Sequence, residues 1–254
     1  MNISFFASKK PRAQKALEEL RSTYGTHPIE GADALVVLGG DGTMLRALHQ
    51  HQDIDLPIFG MNLGTLGFLL NPYTLQGLEE RITNANKFAI HPLRMDVTDK
   101  DGNSHSEIAF NEVSLLRETH NSAKIKIFVN DKERISELVC DGIMVSTPVG
   151  STAYNSSAGG PIVPLDANVL PVTPISAFRP RRWPGALISN NCEIKFEVTK
   201  AIERPVSATA DSKEVRDVRT VVIRQSRTIS KTILYDPDNP LEERIFQEQF
   251  APEC

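Results

Sequence analysis

The chain has 254 residues, 28 Lys and Arg against 32 Asp and Glu, a formal charge of −4 and 40% hydrophobic residues. This is a globular mix, too apolar for a disordered chain and without the run of about 18 apolar residues that a membrane helix needs. The mildly acidic balance disfavours a broad nucleic-acid or anionic-membrane surface but leaves room for a small basic pocket.

Residues 1–6 read as a strand, with an apolar run too short for a signal peptide and charges placed after it rather than before. Pro11 to Gly25 read as a helix, with Ala13, Ala16, Leu17 and Leu20 at helical spacing and Pro and Gly at its ends. Ala34-Leu35-Val36-Val37-Leu38 is an unbroken apolar run, predicting a strand covered on both faces. Gly39-Gly40-Asp41-Gly42-Thr43 and a helix through Met44, Leu45 and Leu48 follow at once. Pro57 to Asn62 is a third strand, followed by the glycine-punctuated segment Gly64-Thr65-Leu66-Gly67-Phe68-Leu69 and a helix around 74–86. Strand and helix alternate over the first ~90 residues, which predicts a three-layer parallel α/β domain.

After Lys87 the pattern changes to strands: Arg94 to Thr98, Glu107 to Leu116, Lys124 to Asn130, Ile143 to Thr147, Glu193 to Thr199 and Val218 to Ile223. Asn-Asp, Asp-Gly and Pro-containing turns separate them. The expected organisation is an α/β domain over 1–90 joined by a C-terminal helix (Leu241 to Phe250, within 236–254), with a β-rich, β-sandwich-like domain over 91–235.

Three segments carry chemistry. In the first, glycines at the end of a buried strand allow positive φ and close backbone approach, and the next helix offers free amides to a phosphate. Arg46 adds a positive charge one turn later. Asp41 would repel phosphate unless it takes a proton from an attacking hydroxyl or meets phosphate through a divalent cation, both phosphoryl-transfer roles; the alternative is a tight turn with Asp41 as helix N-cap. The spacing matches neither G-x-x-x-x-G-K-[ST] nor G-x-G-x-x-G, so a P-loop enzyme or a standard Rossmann dehydrogenase is not expected.

In the second, Asn111-Glu112 interrupts an apolar strand-like run, so one side chain points inward or the strand is bulged; a ligand site and a strand end are both open readings. In the third, Cys140 to Gly160, a strand ends at Thr147-Pro148 and small hydroxyl residues open a helix near Ser151. Such hydroxyls and amides can read ribose and phosphate, and Tyr154 can stack on a base, or they are ordinary caps and loop residues.

The six histidines show no H-x-x-x-H or H-E-x-x-H spacing, and no G-x-S-x-G elbow supports a serine hydrolase. Arg179-Pro180-Arg181-Arg182-Trp183-Pro184 reads as an exposed basic loop or as a phosphate- or subunit-facing cluster. Three cysteines without CxxC spacing suit a reducing, cytoplasmic setting.

Taken in order, Gly39 to Thr43, Phe59 to Leu69, Asn111-Glu112, and Asp141-Gly142 with Ser146 to Tyr154 resemble the NAD kinase family in its compact bacterial form. The resemblance extends from residue 1 to about 235. It implies ATP-dependent phosphorylation of the 2′-hydroxyl on the adenosine ribose of NAD, with Mg²⁺ accompanying ATP, in a homodimer or homotetramer that binds neither nucleic acid nor membrane. It also implies Asp41 as proton acceptor, Gly42 beside the ligand, Arg46 at the phosphate donor and Phe68 bordering the adenine pocket. Asn111 and Glu112 would hold ribose and adenine. Thr152, Ala153, Tyr154, Asn155, Ser156 and Ser157 would line the dinucleotide, and Asp141 would meet its nicotinamide end across a subunit boundary. Two departures stand out. Val149 replaces the family's second Thr in Thr-Pro-Thr-Gly, leaving an apolar or main-chain contact. Asp211-Ser212-Lys213 replaces Asp-Gly-Gln, which puts ligand contacts from Ser212 or Lys213 in doubt. A lipid kinase of the same superfamily and a dinucleotide sensor without transfer are the rival functions.

Overall fold

The computed structural model describes residues 1–64, 67–181, 183–238 and 250. Most of the expected C-terminal helix at Leu241 to Phe250, along with Thr65, Leu66 and Arg182, lies outside the described residues. The chain divides into two compact units, Met1–Ile90 with Ile229–Cys254, and His91–Thr228. It therefore rejoins the first unit at Ile229, earlier than the boundary near 235 that hydropathy suggested.

The first unit runs β1 (Ile3–Ala7), α1 (Pro11–Tyr24), β2 (Ala34–Gly39), α2 (Asp41–Gln50), β3 (Ile58–Asn62), β4 (Asn71–Pro72), α3 (Leu78–Asn84) and β5 (Asn86–Ile90). A returning strand, Lys231–Tyr235, completes the sheet between β3 and β5. β1, β2, β3 and the returning strand are parallel, and β5 pairs antiparallel with the last. The purely parallel sheet expected from sequence is thus mixed at one edge, where β5 lies antiparallel to the strand with which the chain returns after the second unit. Every residue of β2 is buried, as its unbroken apolar run requires. Leu17 and Leu20 of α1 and Leu78 and Ile82 of α3 share one cluster with Ala34, Val36 and Leu38. Met44 of α2 covers Gly60, which pairs with Val37: a β-carbon at Gly60 would lie 2.5 Å from the Met44 methyl, so strand and helix meet there only through glycine.

Two polar ties hold the return. Asn71, fully buried, donates to the Gly60 and Leu234 carbonyls at 3.1 and 2.9 Å and accepts the Asp236 amide at 2.9 Å. Lys231, 2% exposed, donates its ammonium to the carbonyls of His51 and Ile54, and burial pushes its pKa down.

The second unit is a sandwich of two sheets. Its strands are β6 (Leu93–Asp99), β7 (Ser104–Ala109), β8 (Glu112–Arg117), β9 (Ala123–Val129), β10 (Lys132–Cys140), β11 (Gly142–Ser146), β12 (Val169–Ile175), β13 (Ala186–Ser189), β14 (Ile194–Val198), β15 (Val206–Ala210), β16 (Lys213–Val215) and β17 (Val218–Gln225). One sheet is ordered β10-β9-β14-β17-β6-β7, the other β13-β12-β11-β8-β15-β16. Val97, Ile125, Ile127, Phe196 and Val221 of the first share one buried core with Val113, Leu115, Ile143, Val145 and Ala208 of the second. Lys124 and Lys126 alternate with buried Ile125 and Ile127, so the period-two pattern marks the outer face. Asn130 and Asp131, both at positive φ (51° and 59°), form the two-residue hairpin between β9 and β10.

The six strands expected from sequence omit β10, β12, β13, β15 and β16, and the plan also departs from the structure at two changes of sheet. The run Glu107 to Leu116 is two strands, β7 in one sheet and β8 in the other. The polar Asn111-Glu112 pair marks that change of sheet, not a bulge. Asp141 marks a second change, between β10 and β11, where a β-carbon on Gly142 would meet the Leu115 carbonyl at 2.2 Å.

Candidate active site

In the first unit, α1 and α2 both begin at one cleft of about 390 Å³ at the carboxyl ends of β1 and β2. Its lining includes Lys10 and Arg12 from the start of α1, and Gly40, Gly42 and Arg46 from α2. Two helix N-termini bring partial positive charge, and three exposed cationic side chains add to it. Such a cleft fits a polyphosphate.

The glycines work differently from the sequence expectation. None of Gly39, Gly40 and Gly42 has positive φ. Gly39 is required by close approach, since a β-carbon there would sit 2.4 Å from the Thr43 hydroxyl. Around Gly40 and Gly42 nothing lies within 4 Å of that position, so a bound group can approach the backbone itself. Gly40 is the N-cap and Asp41 is the first helical residue, not the cap.

The carboxylate of Asp41 accepts the Phe68 amide through Oδ2 and the Leu69 amide through Oδ1, each at 2.9 Å. This ties the second glycine-punctuated segment to the start of α2. Arg46 is exposed, its guanidinium 3.4 Å from the Thr43 hydroxyl; Phe68 is half-buried.

In the second unit, Asn111 and Glu112 stand at the start of β8, where Glu112 pairs with Ser146 at the end of β11. The segment after Ser146 therefore begins beside them. Val149–Thr152 is a 3₁₀ turn and Tyr154–Ser157 a single helical turn. The Thr147 N–H donates to the Asn111 carbonyl at 2.9 Å, its hydroxyl to the Phe110 carbonyl at 2.7 Å, and that hydroxyl accepts the Gly150 amide at 3.0 Å. Gly150 fits against the same carbonyl: a β-carbon would lie 2.1 Å from the Asn111 oxygen. Val149 is buried, consistent with the loss of a hydroxyl there.

The structure sorts the expected dinucleotide residues. Thr152, Ala153 and Ser156 are half-buried, and Tyr154 and Ser157 exposed. Asn155 is fully buried, donating to the Ser151 and Pro161 carbonyls and accepting the Thr173 hydroxyl at 2.6 Å. Its side chain braces the loop. Asp141 stands apart from this group. Register pairs Gly142 with Leu116 and Ser146 with Glu112, and the Arg117 amide donates to the Asp141 carbonyl, so Asp141 is about 17 Å along the strands from Glu112, at ~3.4 Å per residue. There it is paired with Arg117, Nε to Oδ1 2.6 Å.

Glu112 is the electrostatic anomaly. Its Oε2 is buried with no hydrogen-bond partner among the described residues. Burial first, then the neighbouring Asp211 charge, push its pKa up to about 7. A buried carboxyl near neutrality, with an unsatisfied oxygen, suits a ligand hydroxyl or amine.

Sequence reasoning missed Lys10 and Arg12 in the cleft, and it missed Thr147, Gly150 and Asp211 as supports. The Ser/Thr/Gly density of 146–152 was the signal for Thr147 and Gly150, and the segment Asp211-Ser212-Lys213 the signal for Asp211.

Two family models match this chain: the ATP-NAD kinase N-terminal domain over residues 4–88 and the ATP-NAD kinase C-terminal domain over residues 110–234. The chain belongs to the NAD kinase family. Among relatives, the NAD kinase of Hyphomonas neptunium is 50% identical over 251 residues, covering 99% of this chain and 98% of the relative. That of Rhizorhabdus wittichii is 53% identical, covering 98% of each. Among solved structures, yeast NADH kinase complexed with NADH superposes with a TM-score of 0.85 at 21% identity, covering all of this chain and 89% of the yeast chain. An NAD kinase from Archaeoglobus fulgidus in complex with ATP gives 0.78 at 23%, covering all of both chains. These two show the fold, an α/β domain with a β-rich partner. Membership makes the protein a kinase that phosphorylates NAD to NADP at the expense of ATP. NADP differs from NAD by a phosphate on the 2′-hydroxyl of the adenosine ribose, which fixes the acceptor atom.

Proposed function

We propose that Asp41 is the proton acceptor for the 2′-hydroxyl and that the cleft at the starts of α1 and α2 holds the triphosphate of ATP. The observation that carries this reading is the position of Asp41 as first residue of α2, whose N-terminal backbone lines a cleft with Lys10, Arg12 and Arg46. Backbone amides and fixed cations offset the charge of the transferring phosphoryl group. A carboxylate offers about four acceptor positions, and the amides of Phe68 and Leu69 use two while fixing the plane of the group. A group held this way has little rotational freedom to lose when a hydroxyl is presented to it.

No group of three or more His, Cys, Asp or Glu among the described residues could hold a metal. Mg²⁺ would accompany ATP as part of that substrate and would neutralise phosphate charge there.

Asn111 and Glu112 take the ribose and adenine, with the unpartnered Glu112 oxygen as the acceptor or donor that the ligand satisfies. Thr152, Ala153, Tyr154, Ser156 and Ser157 border the dinucleotide, Asn155 shapes their loop, and Val149 offers an apolar or main-chain contact. Phe68 borders the adenine and Gly42 leaves the ligand room. Asp141, so far along the strands from Glu112, fits the far, nicotinamide end of an extended dinucleotide or a dinucleotide bound by a second subunit; the latter favours a homodimer or homotetramer. The free thiols of Cys140 and Cys192 agree with a cytoplasmic setting. The test is incubation of the chain with ATP, Mg²⁺ and NAD and coupled detection of NADPH. NADP formation is expected; binding of NAD with no product from ATP would contradict the reading.

A further inference from the structure

Phe110 and Asn111 carry the chain from β7 in one sheet to β8 in the other, and Glu112 opens β8, so the amides of Phe110 and Asn111 lie outside both strands. Each unpaired buried amide is costly, so a partner must come from elsewhere. Asp211 supplies it: its carboxylate accepts the amides of Phe110 at 2.7 Å, Asn111 at 3.0 Å and Glu112 at 3.2 Å. Its own amide donates to the Glu112 carbonyl at 3.1 Å. Asp211 can do this from the turn between β15 and β16 because it adopts φ 51°, a region that Asp tolerates better than most residues. On the acceptor side, Thr147 holds the carbonyls of Phe110 and Asn111. The backbone beneath Asn111 and Glu112 is therefore fixed through both its donors and its acceptors.

We infer that Asp211 is a positioning residue for dinucleotide binding, fixing the backbone from which the Asn111 and Glu112 side chains reach the ligand. This rests on the assignment of those two residues to NAD made above. A neutral Asn could cap a turn at this place without setting a second anion beside a buried carboxyl. The aspartate does set one there, and it contributes to the raised proton affinity of Glu112. The departure from the family's Asp-Gly-Gln at Ser212 and Lys213 leaves this role intact, because the aspartate is retained and it is the aspartate that makes the contacts.

The test uses the full chain carrying Asp211→Asn, Asp211→Glu, Asn111→Ala or the Asp211→Asn/Asn111→Ala pair. Initial rates are measured against NAD at saturating ATP and against ATP at saturating NAD, with thermal midpoints beside them. Asp211→Asn is expected to raise KM for NAD on the order of tenfold, as displaced supports of a ligand site do. KM for ATP should stay within about twofold, and Asn111→Ala should add little on top, since the two act through one contact. An NAD KM within about twofold of the parent in Asp211→Asn, while Asn111→Ala raises it, overturns this inference alone. Equal rises in both KM values, or failure of both Asp211→Asn and Asp211→Glu to fold, would make Asp211 a residue of the fold in general and also overturn it. An unchanged NAD KM in Asn111→Ala contradicts the underlying assignment of Asn111, and this inference with it.

Discussion

The carboxylate of Asp41 accepts the backbone amide of Leu69 at 2.9 Å, with the Phe68 amide on its other oxygen. The two glycine-punctuated segments, joined here between residues 27 and 28 positions apart in sequence, are thus one structural device. Asp41 holds Phe68 and Leu69 of the second segment from between Gly40 and Gly42, two residues that line the cleft.

Gly42 has room for a side chain and ordinary helical geometry, so nothing in the fold requires glycine there. Gly42→Ala should leave stability unchanged or raise it by about 0.5–1 kcal/mol, the helix preference for alanine. Its methyl group would occupy cleft space, and kcat/KM for ATP should fall roughly tenfold or more. Thermal melts and ATP titrations of the initial rate check both halves; a stable variant with unchanged ATP kinetics would remove Gly42 from the donor site.

Gly150→Ala is the opposite case. A β-carbon would meet the Asn111 carbonyl at 2.1 Å, and that carbonyl is already bonded to Thr147. The variant should lose roughly 1–3 kcal/mol of stability, as overpacked sites do. Denaturant melts measure it.

Glu112 gives a pH dependence with a definite sign. Its folded pKa of about 7 lies above the ordinary 4.5, so the folded state binds the proton more tightly than the unfolded chain. Stability is lost as pH rises from about 4.5 through 7, by up to about 3 kcal/mol. Glu112→Gln removes the titration. Its thermal midpoint relative to the parent should climb between pH 5 and 8 and be flat below about pH 4.5; a difference independent of pH would show that the carboxyl titrates normally.

Burial pushes the Cys140 thiol up to about 12, whereas Cys192 is partly exposed. A thiol-specific reagent at about pH 8 should modify Cys192 in the native protein and leave Cys140 untouched until denaturant is added. Peptide mapping after labelling reads this, and rapid native modification of Cys140 would contradict its environment.

The readable features in this sequence were those with a local cause. The apolar run of β2 followed by three glycines, the lysine alternation of β9 and the Asn130-Asp131 turn each carry their geometry in a few residues, although the strand after that turn was not read. What stayed hidden is non-local. β12 contains Pro171 and Pro174, residues that argue against a strand with partners on both sides, yet it pairs with β11 and β13. The strand Lys231–Tyr235 joins a sheet begun more than 160 residues earlier, and no local pattern announces that. In the site, Asp41 and Asn111-Glu112 were visible as polar residues where apolar or neutral ones were expected. Thr147 and Asp211 were visible only as members of their segments and not as supports, because that role lies in backbone amides and carbonyls that only the sheet crossing leaves in need of partners.

The most direct test of the account is Asp41→Asn, assayed for NADP formation from ATP and NAD and, separately, for NAD binding by calorimetry. An amide can accept only one of the two N–H donors without presenting its own, so a stability loss of about 1–3 kcal/mol is expected and is measured alongside. With the variant folded, the account predicts NAD affinity near the parent and a turnover reduced by about 10²–10⁴-fold, the usual contribution of a positioned base. Near-normal NADP formation by Asp41→Asn would contradict the assignment of Asp41 as the proton acceptor.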